Sequence, residues 1–263
     1  MSAGITRFSK AITRTPSDSA TAGLRATDRG IPDITQMKAD HAAYCDALRA
    51  TGASITILPA SDDFPDAQFV EDTALCLANG IVFMAPGAPS RLGEVALMQA
   101  AIADLFPATA TATIMPPAHI EGGDILVTAH EILVGTSSRT NEAGIAALRD
   151  IATPWGYQVR QVQTPPGVLH FKTDCSLIDN TVILTTKRLA EAGCFDDYTK
   201  IFTADGEEEA ANTIRFNDVV IMPAGFPETQ SRIEAAGYKV VTINNSECAK
   251  IDGGMSCLSL RIA

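Results

Sequence analysis

Four times along this chain, two short apolar runs flank a two-residue turn. Residues 73–78 and 81–84 flank Asn79-Gly80, and residues 124–128 and 131–134 flank Ala129-His130. Residues 175–178 and 181–184 flank Asp179-Asn180, and residues 212–216 and 219–222 flank Asn217-Asp218. So short a turn joins only antiparallel neighbours, because parallel strands need a crossover of about a dozen residues or more. Asn79, His130, Asn180 and Asn217 stand 51, 50 and 37 residues apart. Helical spacing fills the intervals, over residues 91–106, 141–151, 187–200 and 229–237. A repeat of this length marks a propeller, solenoid or array, and it disfavours a doubly wound parallel sheet. The turn side chains differ from unit to unit, so the repeat is one of architecture more than of sequence.

The remaining segments fit around these units. Residues 11–15 predict a first strand, ended by Pro16, and residues 54–58 a second, ended by Pro59. Asp33 can cap a helix over 34–51 that Gly52 stops. The Ser-, Thr-, Asp- and Gly-rich stretch 17–33 reads as a lid or binding loop. Residues 239–243 give a further strand. Leu258, Leu260 and Ile262 alternate in a closing strand, just after Gly253-Gly254 and Cys257. Taken alone, Cys257 reads as a buried core thiol.

Charge and cysteine usage narrow the function. A net charge of -11 argues against nucleic acid and anionic membranes and favours cationic partners. No run of about 18 apolar residues suggests a membrane span, and residues 1–10 lack the apolar core of a signal peptide. The six cysteines form no C-x-x-C pair. Reduced thiols in a cytoplasm are expected, with no disulfide framework, no zinc or other metal, and no cofactor.

Polar residues gather just before the strand pairs. Glu71-Asp72, Glu121-Gly122-Gly123-Asp124 and His170 with Asp174 each precede one, and Asp252 to Cys257 precede the last strand. If the units ring a centre, these edges converge on a thiol, an imidazole and several carboxylates. A cysteine with a distant histidine is a nucleophile and general acid/base pair. Carboxylates around it suit a cationic guanidinium, whose planar donors pair with them bidentately.

These residues resemble the dimethylarginine dimethylaminohydrolase family of the guanidino-group-modifying (pentein) superfamily, over nearly the whole length. The resemblance is carried by Phe69-Val70-Glu71-Asp72, Ser138-Arg139-Thr140-Asn141, Leu169-His170-Phe171-Lys172-Thr173 and Asp252-Gly253-Gly254-Met255-Ser256-Cys257, together with segments around Pro16, Asp66, Arg91, Glu121 and Gly225. It implies an α+β fold, a five-bladed αββαβ pentein propeller with pseudo-fivefold symmetry. Residues 1–263 would form a single catalytic domain whose first blade is closed by both chain ends, with the lid at about 17–33. Cys257 would be the nucleophile, His170 the general acid/base, and Glu121 the carboxylate that orients it. Asp72, with Glu71 beside it, would hold the guanidinium. Arg91 and Arg139 would take the substrate's α-carboxylate, and Asp66 would lie near its amino end. At Ala20 some bacterial relatives carry a bulky leucine, so the apolar seal of the lid is expected to differ.

The implied reaction is hydrolysis of Nω-methylated arginine to citrulline and an alkylamine through a covalent thiouronium on cysteine. The expected partner is a small guanidino amino acid, without cofactor, nucleic acid or membrane, and with pairing into a homodimer left open. Two alternatives stand beside it: an arginine deiminase-like hydrolase of another guanidino or ureido amino acid, and a non-catalytic binder of arginine-like ligands.

Overall fold

The computed structural model describes residues 5–103, 107 and 110–263. Among them, five three-stranded sheets repeat one plan. In four, an antiparallel hairpin is followed by a helix and then by a third strand parallel to the middle one. The hairpins are β3 (Ala74–Leu77) with β4 (Gly80–Phe83), β6 (Ile125–Val127) with β7 (Ile132–Thr136), β9 (Cys175–Asp179) with β10 (Val182–Thr185), and β12 (Ile214–Phe216) with β13 (Val219–Pro223). The third strands are β5 (Thr111–Thr113), β8 (Val159–Gln163), β11 (Thr199–Phe202) and β14 (Lys239–Ile243). The helices between are α2 (Leu92–Ile102), α3 (Glu142–Ala152), α4 (Lys187–Ala190) and α5 (Pro227–Ala235).

The fifth sheet splits its hairpin between the chain ends. β1 (Lys10–Arg14) pairs antiparallel with β15 (Leu260–Ile262), Ala11 opposite Arg261. It pairs parallel with β2 (Ser54–Leu58), Ala11 opposite Ile55. The helix of this blade, α1 (Ile34–Arg49), begins at Asp33, whose carboxylate accepts from the backbone N–H of Thr35 and Gln36 at 2.9 and 3.1 Å. That satisfies two of the orphan donors of the first turn. Thus both the fivefold plan and the closure by both ends are present.

The middle strands β4 and β13 are buried along their whole length, as strands covered on both faces must be. The first strands β3, β6, β9, β12 and β15 line a central cavity of about 360 Å³. Just before each of them the chain makes one short 3-10 turn: Val70–Thr73, Gly122–Asp124, Phe171–Thr173, Glu208–Ala211 and Ser256–Leu258. Five equivalent turns therefore sit at one rim of the ring.

The differences from the sequence reading lie in the crossovers. The predicted helix over 187–200 stops at Ala190. The chain turns through Gly193, at φ +74°, and its end becomes β11. The β-branched Thr199 and Ile201 supply that strand, which completes the blade. The end of the helix predicted over 91–106 falls at 104–106, outside the described residues; α2 itself starts at Leu92. The predicted closing strand is shorter too, because Cys257 and Leu258 belong to the last 3-10 turn and β15 begins at Leu260. The fully buried Tyr44 of α1 braces this segment: its hydroxyl meets Ser259 Oγ at 2.8 Å and the Met255 carbonyl at 3.1 Å. Leaving such a buried group without a partner costs roughly 1–3 kcal/mol. Among the described residues, no helix is long and apolar enough to cross a membrane.

Candidate active site

Four of the five rim turns carry the chemistry. Asp72 lies within the first, Glu121 and His170 open the second and third, and Cys257 lies within the last. The side chains of Asp66, Asp72, Arg91, Arg139, His170 and Cys257 line one pocket, with Leu24, Leu169, Ile251 and Asp252 around them. The pocket is about 30 Å³, room for little more than a water molecule or two. The central cavity is larger, but neither Cys257 nor His170 lines it. A thin floor divides the two spaces, and neighbouring residues serve opposite sides: Asp72 and Cys257 face the pocket, Glu71 and Ser256 the central cavity.

His170 Nε2 and Glu121 Oε2 are 2.7 Å apart. Glu121 is fully buried, and its other oxygen accepts from the N–H of Gly87 at 3.0 Å and from Arg139 Nη1 at 3.3 Å. Burial pushes the Glu121 carboxyl up, but the bond with His170 and the His170 and Arg91 charges together outweigh it and hold the group below its usual range. Burial likewise disfavours the imidazolium of His170. The Asp124 and Asp72 charges and the Glu121 bond overcome this and raise its pKa to about 9. The ring is therefore protonated at neutral pH. Gly123 packs so close that a Cβ there would lie 2.8 Å from the imidazole, so no larger residue fits.

Asp72 is drawn the same way. Despite burial, Arg91 and then His170 bring its carboxyl down to about 2. Its oxygens accept from Arg91 Nη1 at 2.6 Å and from the Gly123 N–H at 2.8 Å. The Cys257 thiol is moved in the opposite sense: burial, then the Asp72 and Glu71 carboxylates, push it up to about 12. Its sulfur accepts from the Gly254 N–H at 3.4 Å. The unliganded site thus pairs a neutral thiol with a charged imidazole and two carboxylates, an arrangement that accepts a planar cation.

Asp72, Glu121 and His170 also have donor atoms within 4.8 Å of one another, close enough for a metal ion. The chemistry fits one poorly. Arg91, Arg139 and His170 already neutralise both carboxylates, and metal ligation requires the imidazole unprotonated.

The structure places two of the expected substrate-binding residues off the pocket and buries a third at its wall. Glu71 does not line the pocket. Its Oε1 is held by Lys172 Nζ at 2.5 Å and by Arg261 Nη2, on the central-cavity side. Its neighbour faces the other way because successive residues in the turn point apart. Ala20 does not face the pocket either; it is fully buried in a core cluster with Phe69 and Met255. The leucine at the pocket edge is Leu24, so the lid keeps an apolar contact there despite the small residue at position 20. Arg91 lines the pocket but is 3% exposed, and Asp72, Glu94 and the Asp66 and Phe69 carbonyls engage its donors. Its first duty is to hold Asp72. Arg139 is the more accessible arginine, paired only with Glu121.

Two further groups, Glu94 and Asp124, carried no assigned role in the sequence reading. Glu94 grips Arg91 from one helical turn away, an i,i+3 pair on α2 that its spacing could have revealed. Asp124 accepts from Ser137 Oγ, Thr140 Oγ1 and the Phe171 N–H at 2.6, 2.7 and 2.8 Å. It ties the second turn to the third and lends its field to His170.

Fold and site together are those of a guanidino-group-modifying (pentein) protein. A family model described as arginine deiminase matches residues 58–162. The chain is 36% identical to the N(G),N(G)-dimethylarginine dimethylaminohydrolase of Pseudomonas aeruginosa over 97% of its own length and 99% of that protein's. It belongs to the dimethylarginine dimethylaminohydrolase family. The enzyme of the same name from Streptomyces coelicolor is 30% identical over 96% of each chain. A cysteine-to-serine mutant of the Pseudomonas aeruginosa protein complexed with citrulline superposes with a TM-score of 0.94, at 35% identity, over 97% of this chain and all of that one. The N-terminal domain of ArgZ, an arginine dihydrolase from cyanobacteria, superposes at 0.86 with 16% identity over 97% of each chain, a likeness of fold alone.

Proposed function

We propose that this protein hydrolyses Nω-methylated arginine to L-citrulline and the corresponding methylamine through a covalent intermediate on Cys257. The observation that carries the reading is the convergence of Cys257, His170 and Asp72 on one small pocket, with Glu121 buried behind it and bonded to His170 at 2.7 Å. The family membership supplies the substrate class.

The guanidinium enters between Asp72 and Glu121 with its central carbon toward Cys257. Its positive charge offsets the carboxylates that hold the thiol neutral, and so favours the thiolate, whose proton leaves to solvent. Sulfur adds to the carbon. His170, protonated in the unliganded site, gives its proton to the departing dimethylamine, the C–N bond breaks and a thiouronium remains. The neutral imidazole then takes a proton from water as that water adds to the same carbon. The C–S bond breaks, and citrulline and the free thiol are released. Glu121 keeps the imidazole oriented through both steps. Arg139 and Asp66 serve the amino-acid end of the substrate, while Arg91 keeps Asp72 ionised and in place. The six free thiols suit a reducing compartment such as the cytoplasm.

The arginine deiminase match keeps one rival in view, and product analysis separates the two. Dimethylamine, methylamine and ammonia are measured with asymmetric dimethylarginine, monomethylarginine and arginine as substrates. The expected result is alkylamine release from the methylated substrates with a higher kcat/KM than ammonia release from arginine. Ammonia release from arginine with the higher kcat/KM overturns the assignment in favour of a deiminase. Binding without any release would leave a non-catalytic binder.

A further inference from the structure

The stretch 24–29 starts at Leu24, which lines the pocket, and is bracketed by two glycines. Gly30 has φ +94° with open space where a Cβ would stand, and Gly23 is packed against Ile251 and Asp66. The stretch is tied to itself by Arg25, whose guanidinium donates to the carbonyls of Gly23, Gly30 and Thr21 at 3.4, 2.9 and 2.6 Å. It is therefore a preformed plate with one open glycine hinge, at Gly30, while Gly23 is packed against the body of the protein. At the pocket, two carboxylates hold it to the body of the protein through backbone bonds. Asp66 accepts from the Leu24 N–H at 3.0 Å, and Asp252 accepts from the Ala26 N–H at 2.5 Å. An exposed pair, Arg29 with Glu209, adds little.

Asp252 is the unusual member. It lines the pocket, stands five residues before Cys257, and has φ +59°, a left-handed conformation that costs an ordinary side chain energy. Aspartate, like asparagine, is among the few non-glycine residues that visit that conformation, and from it the carboxylate reaches the Ala26 N–H.

We infer that Asp252 is a positioning residue that latches the lid: its carboxylate holds the plate shut over the pocket and couples closure to the loop carrying Cys257. With the plate in this position the pocket is about 30 Å³, so the latch would release and re-form as an amino acid enters and leaves. The consequence for catalysis rests on the reaction proposed above; the latch itself does not.

Trypsin cleavage after Arg29 reads the latch without activity. Asp252→Gly relieves the backbone strain and removes the acceptor; its cleavage is expected to quicken about tenfold, while Asp252→Asn, which keeps an acceptor oxygen, stays close to the parent rate. Ala26→Pro removes the donor from the lid side and leaves the Cys257 loop untouched, and it is expected to quicken cleavage after Arg29 as well. Thermal melts verify that all three variants are folded at the assay temperature. In kinetics with methylated arginine, Asp252→Gly is expected to raise KM several-fold, by more than it changes kcat, and Asp252→Asn to restore KM. Cleavage unchanged in both Asp252→Gly and Ala26→Pro overturns the latch. So does faster cleavage in Asp252→Gly alone, because the effect would then act through the loop and not the lid bond. Faster cleavage in both with no turnover by the parent protein would keep the latch and refute the reaction instead.

Discussion

Cys257→Ser is expected to lower kcat by about 10⁴-fold or more while substrate affinity changes little. The site is built to keep its nucleophile protonated until a cation arrives, with the thiol itself held up at about 12 by burial and by Asp72 and Glu71. A serine hydroxyl starts from a far higher pKa, and no base waits for its proton, since His170 is already protonated below about 9. The guanidinium contacts proposed for Asp72 and Glu121 do not involve the sulfur. The fold survives too, because Sγ accepts only one weak bond, from Gly254. Calorimetric titration with asymmetric dimethylarginine, alongside turnover assays, separates the two effects. Residual activity above a hundredth of the parent rate would place the chemistry on another group.

The second large effect is on the thiol itself. In the unliganded protein, ultraviolet absorbance should show no Cys257 thiolate up to about pH 9, well above where a free cysteine begins to ionise. With a slowly processed alkylguanidinium ligand bound, the midpoint should fall by about 1–3, because an opposite charge at contact favours the ionised form. L-citrulline, a neutral urea, should leave it where it was. The background is quiet: the other five thiols are also pushed up, Cys76 to about 12 and Cys194 to about 11, all chiefly by burial. A thiolate already formed at neutral pH without ligand, and absent from Cys257→Ser, would reverse the account of the carboxylates.

What the sequence revealed is the part of the fold written in local signals. Each hairpin was legible because a two-residue turn between apolar runs admits only one pairing, as Asn79-Gly80 between β3 and β4 shows. The third strands were less so. Thr111–Thr113 is three residues long, and Thr199–Phe202 carries Lys200 within a stretch that also fits helical spacing. Both become strands because a middle strand offers them an edge, a tertiary effect that periodicity does not encode. At the site, Asp72, Glu121, His170 and Cys257 could be named from residue type and resemblance. Residue type alone did not separate two adjacent carboxylates, since Glu71 and Asp72 differ only in the direction they leave a 3-10 turn; the resemblance singled out Asp72, and it is Asp72 that faces the pocket. The same holds for the lid, where Ala20 packs inward and Leu24 reaches the pocket edge.

The covalent intermediate is the centre of the account, and trapping it is the direct measurement. Protein mixed with asymmetric dimethylarginine is quenched in acid within the first turnover, digested and mapped by mass spectrometry. The expected result is a single modified peptide, the one bearing Cys257, heavier by the alkylthiouronium that remains once dimethylamine has left. Formation of citrulline in the same samples with Cys257 unmodified at every quench time, or with the adduct on another cysteine, would contradict it.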